Sequence, residues 1–221
     1  MIDALATSEV RATRRRLLDL LARKDISIGA AFVARLDDPR WYVQRNMLVL
    51  IERSGHVPDG FSLTPWTSHP DDRVRLEAIR AQLTLPHERE LAIDTALEDV
   101  DPRIVTLGLR VLQKTCPPEL GPRVAELALQ PHAGDDVRFL AATALGRVRQ
   151  PEALDVLLRL SAGGRTLLGR PKLPPRSPVL VATIRALAEQ WAADPRAAPV
   201  LAAAARSSDP ELRRAARGTD P

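Results

Sequence analysis

Cysteine, aromatic residues and lysine are all scarce in this chain of 221 residues, which has one Cys, three Phe, three Trp, one Tyr and three Lys. The lone Cys116 excludes an internal disulfide framework and a cysteine-rich zinc site. Aromatics at 3% leave the core to Leu, Ala, Val and Ile. No apolar run approaches the roughly 20 residues of a membrane-spanning helix. Residues 1–10 lack the basic start and apolar stretch of a secretory leader. A cytoplasmic setting away from membranes is expected. Hydrophobic residues make up 45% of the chain, which is long enough to bury a sizeable core.

The net charge of +4 is unevenly placed. Residues 1–24 carry six basic residues against three acids, and residues 161–178 carry Arg165, Arg170, Lys172 and Arg176 with no acid. The remainder is slightly acidic, so the chain is not a uniformly basic nucleic-acid glove. The excess of arginine over lysine fits the codon bias of a GC-rich genome and is not in itself a phosphate-binding signal.

What the chain does have is a repeat. Asp71-Asp72-Arg73-Val74-Arg75-Leu76-Glu77-Ala78, Asp135-Asp136-Val137-Arg138-Phe139-Leu140-Ala141-Ala142 and Asp209-Pro210-Glu211-Leu212-Arg213-Arg214-Ala215-Ala216 share one template. An acid precedes an apolar anchor, Arg follows it, and small or apolar residues come four and five positions later. The template finds seven anchors, Thr13, Val43, Val74, Ile104, Val137, Val179 and Leu212, spaced 30, 31, 30, 33, 42 and 33 residues apart. Apolar offsets of 0, 4, 5, 7 and 8 trace one face of a helix. Asp38-Pro39, Asp101-Pro102 and Asp209-Pro210 each read as an N-cap acid before a proline at the first helical position.

Between these anchored helices lie further apolar-periodic stretches at Ser27–Leu36, Glu88–Leu97, Leu120–Leu129, Pro151–Leu160 and Arg196–Ala205. A weaker one at Phe61–Ser68 holds Pro65 and predicts a short helix. The unit is helix, turn, helix in about 30–33 residues, and no strand pattern competes with it.

These Asp-x-x-Val-Arg-x-x-Ala-like motifs resemble the HEAT-repeat family, in particular the short bacterial repeats related to phycobilisome lyases. The resemblance covers almost the whole chain. It implies an all-α fold, a single right-handed α-solenoid over residues 1–221 of about six to seven helix pairs, with the anchored helices on the concave face. Val105 and Leu180 depart from it where Arg is expected after the anchor. HEAT arrays are mostly scaffolds, which implies a non-catalytic module binding another protein on that face. The build is also similar to HEAT-like alkylpurine DNA glycosylases, which keeps a nucleic-acid-binding reading open, although no acid in a matching motif carries over. A glycosylase-like or bilin lyase-like activity is the remaining alternative.

Two places break the repeat. The Gly- and Pro-rich segment 161–178 is an inserted basic loop, and its Arg165, Arg170, Lys172 and Arg176 suit an acidic partner. At the start, the helix Val10–Arg23 leaves no room for a first-helix partner. Its Leu17, Leu18, Leu20 and Leu21 are expected to form an uncovered apolar face, used for self-association or covered in a longer protein.

Chemistry-bearing residues are sparse. His56, His69, His87 and His132 show no ligand spacing, and Cys116 has no local histidine. Neither metal nor cofactor is expected. Asp71 and Arg75, Asp135 and Arg138, and Asp209 and Arg213 stand three or four apart, the spacing of local ion pairs. Trp41, Tyr42, Arg45 and Asn46 are the densest cluster; they suit a stacked base or cation, or packing between repeats.

Offsets 3, 6 and 10 from the anchors lie opposite the buried stripe and hold eight basic residues against three acids, with Arg80, Arg110 and Arg185 at offset 6 and Lys114 and Arg147 at offset 10. Last-turn cations complement the helix dipole, by about 0.3–1 kcal/mol each, which accounts for the offset-10 column but not the offset-6 one. The stripe is the expected surface for an acidic protein, with nucleic acid as the alternative.

Overall fold

Every regular element among the described residues is helical. The computed structural model describes residues 2–8, 10–22, 30–55, 57–164 and 172–218. The chain divides into two units, Met1–Ile104 and Val105–Pro221. No described helix is long and apolar enough to cross a membrane.

The first unit holds α1 (Ile2–Thr7), α2 (Arg11–Ala22), α3 (Ala30–Val33), α4 (Trp41–Ser54), α5 (Thr64–Thr67), α6 (Asp72–Thr84), α7 (Arg89–Glu98) and the start of α8 (Pro102–Val111). The anchored helices pack in sequence order, α2 on α4 and α4 on α6, with α5 and α7 against α6. The anchor periodicity explains why. Val43, Met47, Val74, Ala78 and Ala81 are the residues the helical repeat places on one face, and all are enclosed. Ala78 in the middle of α6 leaves space for its neighbours, as small residues at offset four should. Proline sits at the start of α5, which is the short helix the Pro65 position predicts.

Two expectations for this unit are corrected. The N-terminal helix does have a partner: α1 packs on α2 and buries Leu5, while Leu18 and Leu21 are also buried and Leu17 is half-buried. Leu20 alone of the four leucines is exposed, so most of the apolar face proposed for self-association is already covered. The second correction is the start of α4. Asp38 accepts the backbone N–H of Arg40 at 3.0 Å, Arg40 stays extended, and the helix begins at Trp41 rather than at Pro39. By contrast, Asp71 caps α6 and Asp101 accepts the Arg103 N–H at the start of α8. The expected helix over Ser27–Leu36 is reduced to α3, and residues 23–29 lie outside the described part.

The second unit holds the rest of α8, a 3-10 turn at Pro118–Leu120, α9 (Gly121–Leu129), α10 (Asp135–Leu145), α11 (Pro151–Leu160), α12 (Pro178–Trp191), α13 (Ala198–Ala205) and α14 (Pro210–Ala215). α10 packs on α9 and α12, α11 on α9 and α12, and α12 on α13 and α14. Val137, Ala141, Ala144, Val179 and Thr183 form the enclosed stripe of the two anchored helices. Ser177 caps α12 through the Leu180 N–H, with Pro178 in the first turn, and Asp209 caps α14 through the N–H groups of Glu211 and Leu212.

The inserted segment has a tied base. The Gly163 N–H donates to the Lys172 carbonyl at 2.9 Å and the Lys172 N–H to the Gly164 carbonyl at 3.0 Å. Gly163 is needed there, since a Cβ would lie 2.3 Å from the Leu173 carbonyl carbon and the Pro174 nitrogen.

Candidate functional site

The motif acids are built into the frame. Ahead of four helices an Asp accepts the N–H of the residue two positions on and also grips that residue's guanidinium. For Asp71 and Arg73 the distances are 2.9 Å to the N–H and 2.6 Å to Nη2. Asp38 and Arg40, Asp101 and Arg103, and Asp194 and Arg196 repeat the arrangement. Two of these arginines also reach an acid in another repeat, Arg103 to Asp72 and Arg196 to Asp155. At α14 the position holds Glu211, and Arg176 from before α12 supplies the guanidinium to Asp209 and Glu211 instead.

Of the pairs expected at three and four residues, Asp135 and Arg138 do form an ion pair, while those of Asp71 with Arg75 and Asp209 with Arg213 are corrected. Arg75 binds Asp99 at 2.8 Å and the carbonyl of His69, not Asp71. Arg213 donates to the carbonyls of Ser207 and Ser208. Arg138 stands 3.9 Å from Asp135 and donates to the Ala128 carbonyl at 3.2 Å. In these three repeats the arginine after the anchor therefore ties down carbonyls in or next to the preceding turn.

The Arg40 guanidinium beside Asp38 holds its carboxyl down at about 2, and Arg73, Arg103 and Arg196 lower Asp71, Asp101 and Asp194 in the same way. A carboxyl depressed on folding stabilises the native state above its ordinary range, and that contribution disappears as pH falls from about 4 towards 2. Asp38→Asn, which keeps the acceptor and removes the charge, is expected to cost up to about 1 kcal/mol at neutral pH and progressively less as pH falls through 4 to 2. Urea midpoints of the two proteins across that range check this, and parallel profiles would refute it.

The Trp41 cluster is likewise engaged. Trp41 and Tyr42 meet edge to face at 6.0 Å, and the Arg73 guanidinium lies 3.4 Å over the Trp41 ring. Arg45 and Arg80 both turn to the enclosed Glu77, at 2.6 and 3.2 Å. The ring face that suited a stacked base is thus covered by an arginine from the next helix. Glu77, the acid that Arg45 meets, is held between two guanidiniums.

Cys116 is buried, and burial pushes its thiol up to about 11, with the charge of Glu119 adding to the shift. The His69 Nδ1 accepts the Asp71 N–H, and His87 and His132 are exposed. No metal-holding group of three His, Cys, Asp or Glu occurs among the described residues. His56, Arg165 and Arg170 lie outside them.

Four stripe residues of the second unit converge on one place. α10 and α12 flank a groove of about 380 Å³. Its lining includes Thr143, Arg147, Arg185 and Glu189, all at offsets 6 and 10, together with Phe139, Val181, Arg176 and Glu211. Arg147 donates to the Gln113 carbonyl at 3.0 Å and to Glu189 at 3.3 Å. Arg110 and Lys114 are exposed, and neither has an ion pair among the described residues. Lys172 is exposed beside the tied base. A second depression between α9 and α11 carries acids instead, Glu119 and Glu152, beside Pro118 and Pro122. The sequence offsets find Arg147 and Arg185. They miss Phe139, Arg176 and Glu211, which only the packing of α10, α12 and α14 brings together.

No protein-family model and no curated protein matches the chain. Among solved structures it is similar to an engineered protein determined by the Northeast Structural Genomics Consortium, at 20% identity, with a TM-score of 0.56, over 97% of this chain. The likeness is one of all-helical fold. This chain spans 65% of the length of that protein. A second engineered protein from the same consortium aligns at 17% identity over 98% of this chain and 93% of its own, with a TM-score of 0.42.

Proposed function

We propose that the chain is a HEAT-like right-handed α-solenoid of about six to seven helix pairs, a non-catalytic cytoplasmic scaffold that binds an acidic protein on its concave face. The observation that carries the reading is that Thr143, Arg147, Arg185 and Glu189 of the offset stripe line the α10–α12 groove, while Arg110 and Lys114 of the same stripe are exposed, with no ion pair among the described residues. An acidic surface would gain from Arg110, whereas the fold does not use it. The acids and arginines of the helix starts brace the frame, which is what a scaffold requires and a catalytic site does not.

Arg110→Glu tests this. It is expected to change stability by no more than about 0.5 kcal/mol, because the side chain is exposed and has no ion pair among the described residues. It is expected to weaken association and its dependence on salt. Capture from a cytoplasmic extract with the native chain and the variant side by side reads the outcome. A protein held by the native chain, released by salt and lost with the variant supports the scaffold. Nucleic acid held instead, with affinity falling steeply on a log–log salt plot, replaces it with the nucleic-acid reading.

A further inference from the structure

We infer that the chain pairs with a second copy of itself, the basic and apolar side of α2 in one copy seating on the acidic and apolar side of α7 in the other. This goes beyond the concave-face reading and uses neither Arg110 nor the α10–α12 groove.

Five large apolar side chains are exposed among the described residues, and four of them fall at these two helices. Val10 lies just ahead of α2, and Leu20 near its end is the one N-terminal leucine that stays exposed. Leu91 lies on α7, and Val100, 91% exposed, in the turn that follows it. Each pair comes with charge of one sign. Leu91, Asp94 and Glu98 stand three and four residues apart, so they share one side of α7, and all three are exposed. Arg16 and Leu20 are both exposed and four apart on α2, with exposed Arg15 beside them.

The fold does not spend these charges. Glu90, Asp94 and Glu98 have no hydrogen bond or ion pair from their side chains among the described residues, and neither have Arg15 and Arg16. The acids around them are accounted for: Asp19 meets Arg53, Asp99 meets Arg75 and Asp101 meets Arg103. Three carboxylates then face solvent on α7 against the single base Arg89, while residues 1–24 hold six basic residues against three acids.

Both helices also carry their charge against their own dipoles. α2 opens on arginine with no acid in its first turn, and α7 ends on Glu98 with no base in its last. Glu90, Asp94 and Glu98 repel one another at four-residue steps. Each arrangement destabilises the helix that bears it, and opposite charge brought up from outside relieves it. A basic partner would answer α7 alone and an acidic one α2 alone. A second copy answers both, and covers exposed apolar side chains on each side of the contact. The helices are twelve and ten residues long, so the contact falls below the roughly 1,200 Å² of a stable complex. Pairing is therefore weak, exchanging and screened by salt.

Sedimentation equilibrium of the full chain at low ionic strength, over a wide range of concentration, tests this. The average mass is expected to rise with concentration and to return to that of one chain in high salt. Arg15→Glu with Arg16→Glu, and separately Asp94→Lys with Glu98→Lys, are each expected to weaken association at least about tenfold. An equal mixture of the two double variants is expected to recover it, because each reversed face again meets opposite charge. Leu91→Ser is expected to weaken association at least about threefold with every charge intact, which separates a docked contact from diffuse attraction. Arg110→Glu, on neither surface, is expected to associate as the native chain does. All the substituted side chains are exposed, and unchanged melting confirms that each variant scored is folded. A native chain that stays single at every concentration overturns the pairing. So does association that survives either double variant or Leu91→Ser, or a mixture that stays dissociated. Capture of a foreign basic protein through Asp94 and Glu98, by a chain that itself stays single, gives α7 a different occupant and overturns it as well.

Discussion

Gly146→Ala is expected to destabilise the second unit by about 1–3 kcal/mol, the usual cost of forcing an extra carbon into a packed contact. The sign is the informative part. Gly146 ends α10 in a right-handed conformation, φ −63° and ψ −9°. Alanine at such a position ordinarily stabilises by about 0.4–1 kcal/mol by restricting the unfolded chain. Here the new Cβ would lie 2.8 Å from the Ala186 Cβ and 3.3 Å from its Cα. Those atoms belong to the frame of α12 and cannot swing aside as a flexible side chain would, so the helices must separate. Urea denaturation measures the loss, and Ala186→Gly in the same chain is expected to recover part of it. A Gly146→Ala protein as stable as the native one, or more so, would show that α10 and α12 are not in such close contact.

Asp99→Ala is expected to cost about 3 kcal/mol, because it strands a largely enclosed cation. The Arg75 side chain is 14% exposed and that of Asp99 6%. Two bonds join them, at 2.8 and 3.0 Å, and Asp99 also accepts the Asp101 N–H ahead of α8. Removing the acid leaves Arg75 with only the carbonyls of His69 and Pro70. Arg75→Met combined with Asp99→Ala is therefore expected to cost less than Asp99→Ala alone. Denaturation midpoints of the two single variants and the double variant decide it. Strictly additive losses would argue against a stranded charge.

The helices were legible because their signals are local. Val74, Ala78 and Ala81 recur at helical spacing and are enclosed, and Asp71, Asp101 and Asp209 receive the N–H groups their positions imply. The partners of the charged residues were less legible. Spacing on a helix joins Asp71 to Arg75, yet Arg75 lies close to a carboxylate 24 residues away and takes it. The two-residue Asp–Arg grip escapes helical periodicity because its acid lies ahead of the helix, where the backbone is extended, as at Asp71. The stripe shows the same limit. Arg185 and Arg147 could be placed on a shared face from their offsets, but Arg80 is drawn to Glu77 on its own helix, and Arg176 enters the groove from a segment with no periodicity at all. The six-residue α1 carries too short a pattern to register, and it packs on α2, with Leu5 in the same cluster as Leu18 and Leu21.

The two backbone bonds joining Gly163 and Gly164 to Lys172 give the chain a natural splice point. They fix the distance between the ends of whatever sequence runs from one to the other, so α11 and α12 need not feel its length. Each doubling of a flexible loop adds only about 0.6 kcal/mol of closure cost. An epitope, a fluorophore-bearing peptide or a whole reporter domain inserted between Gly164 and Lys172 should be carried with little penalty.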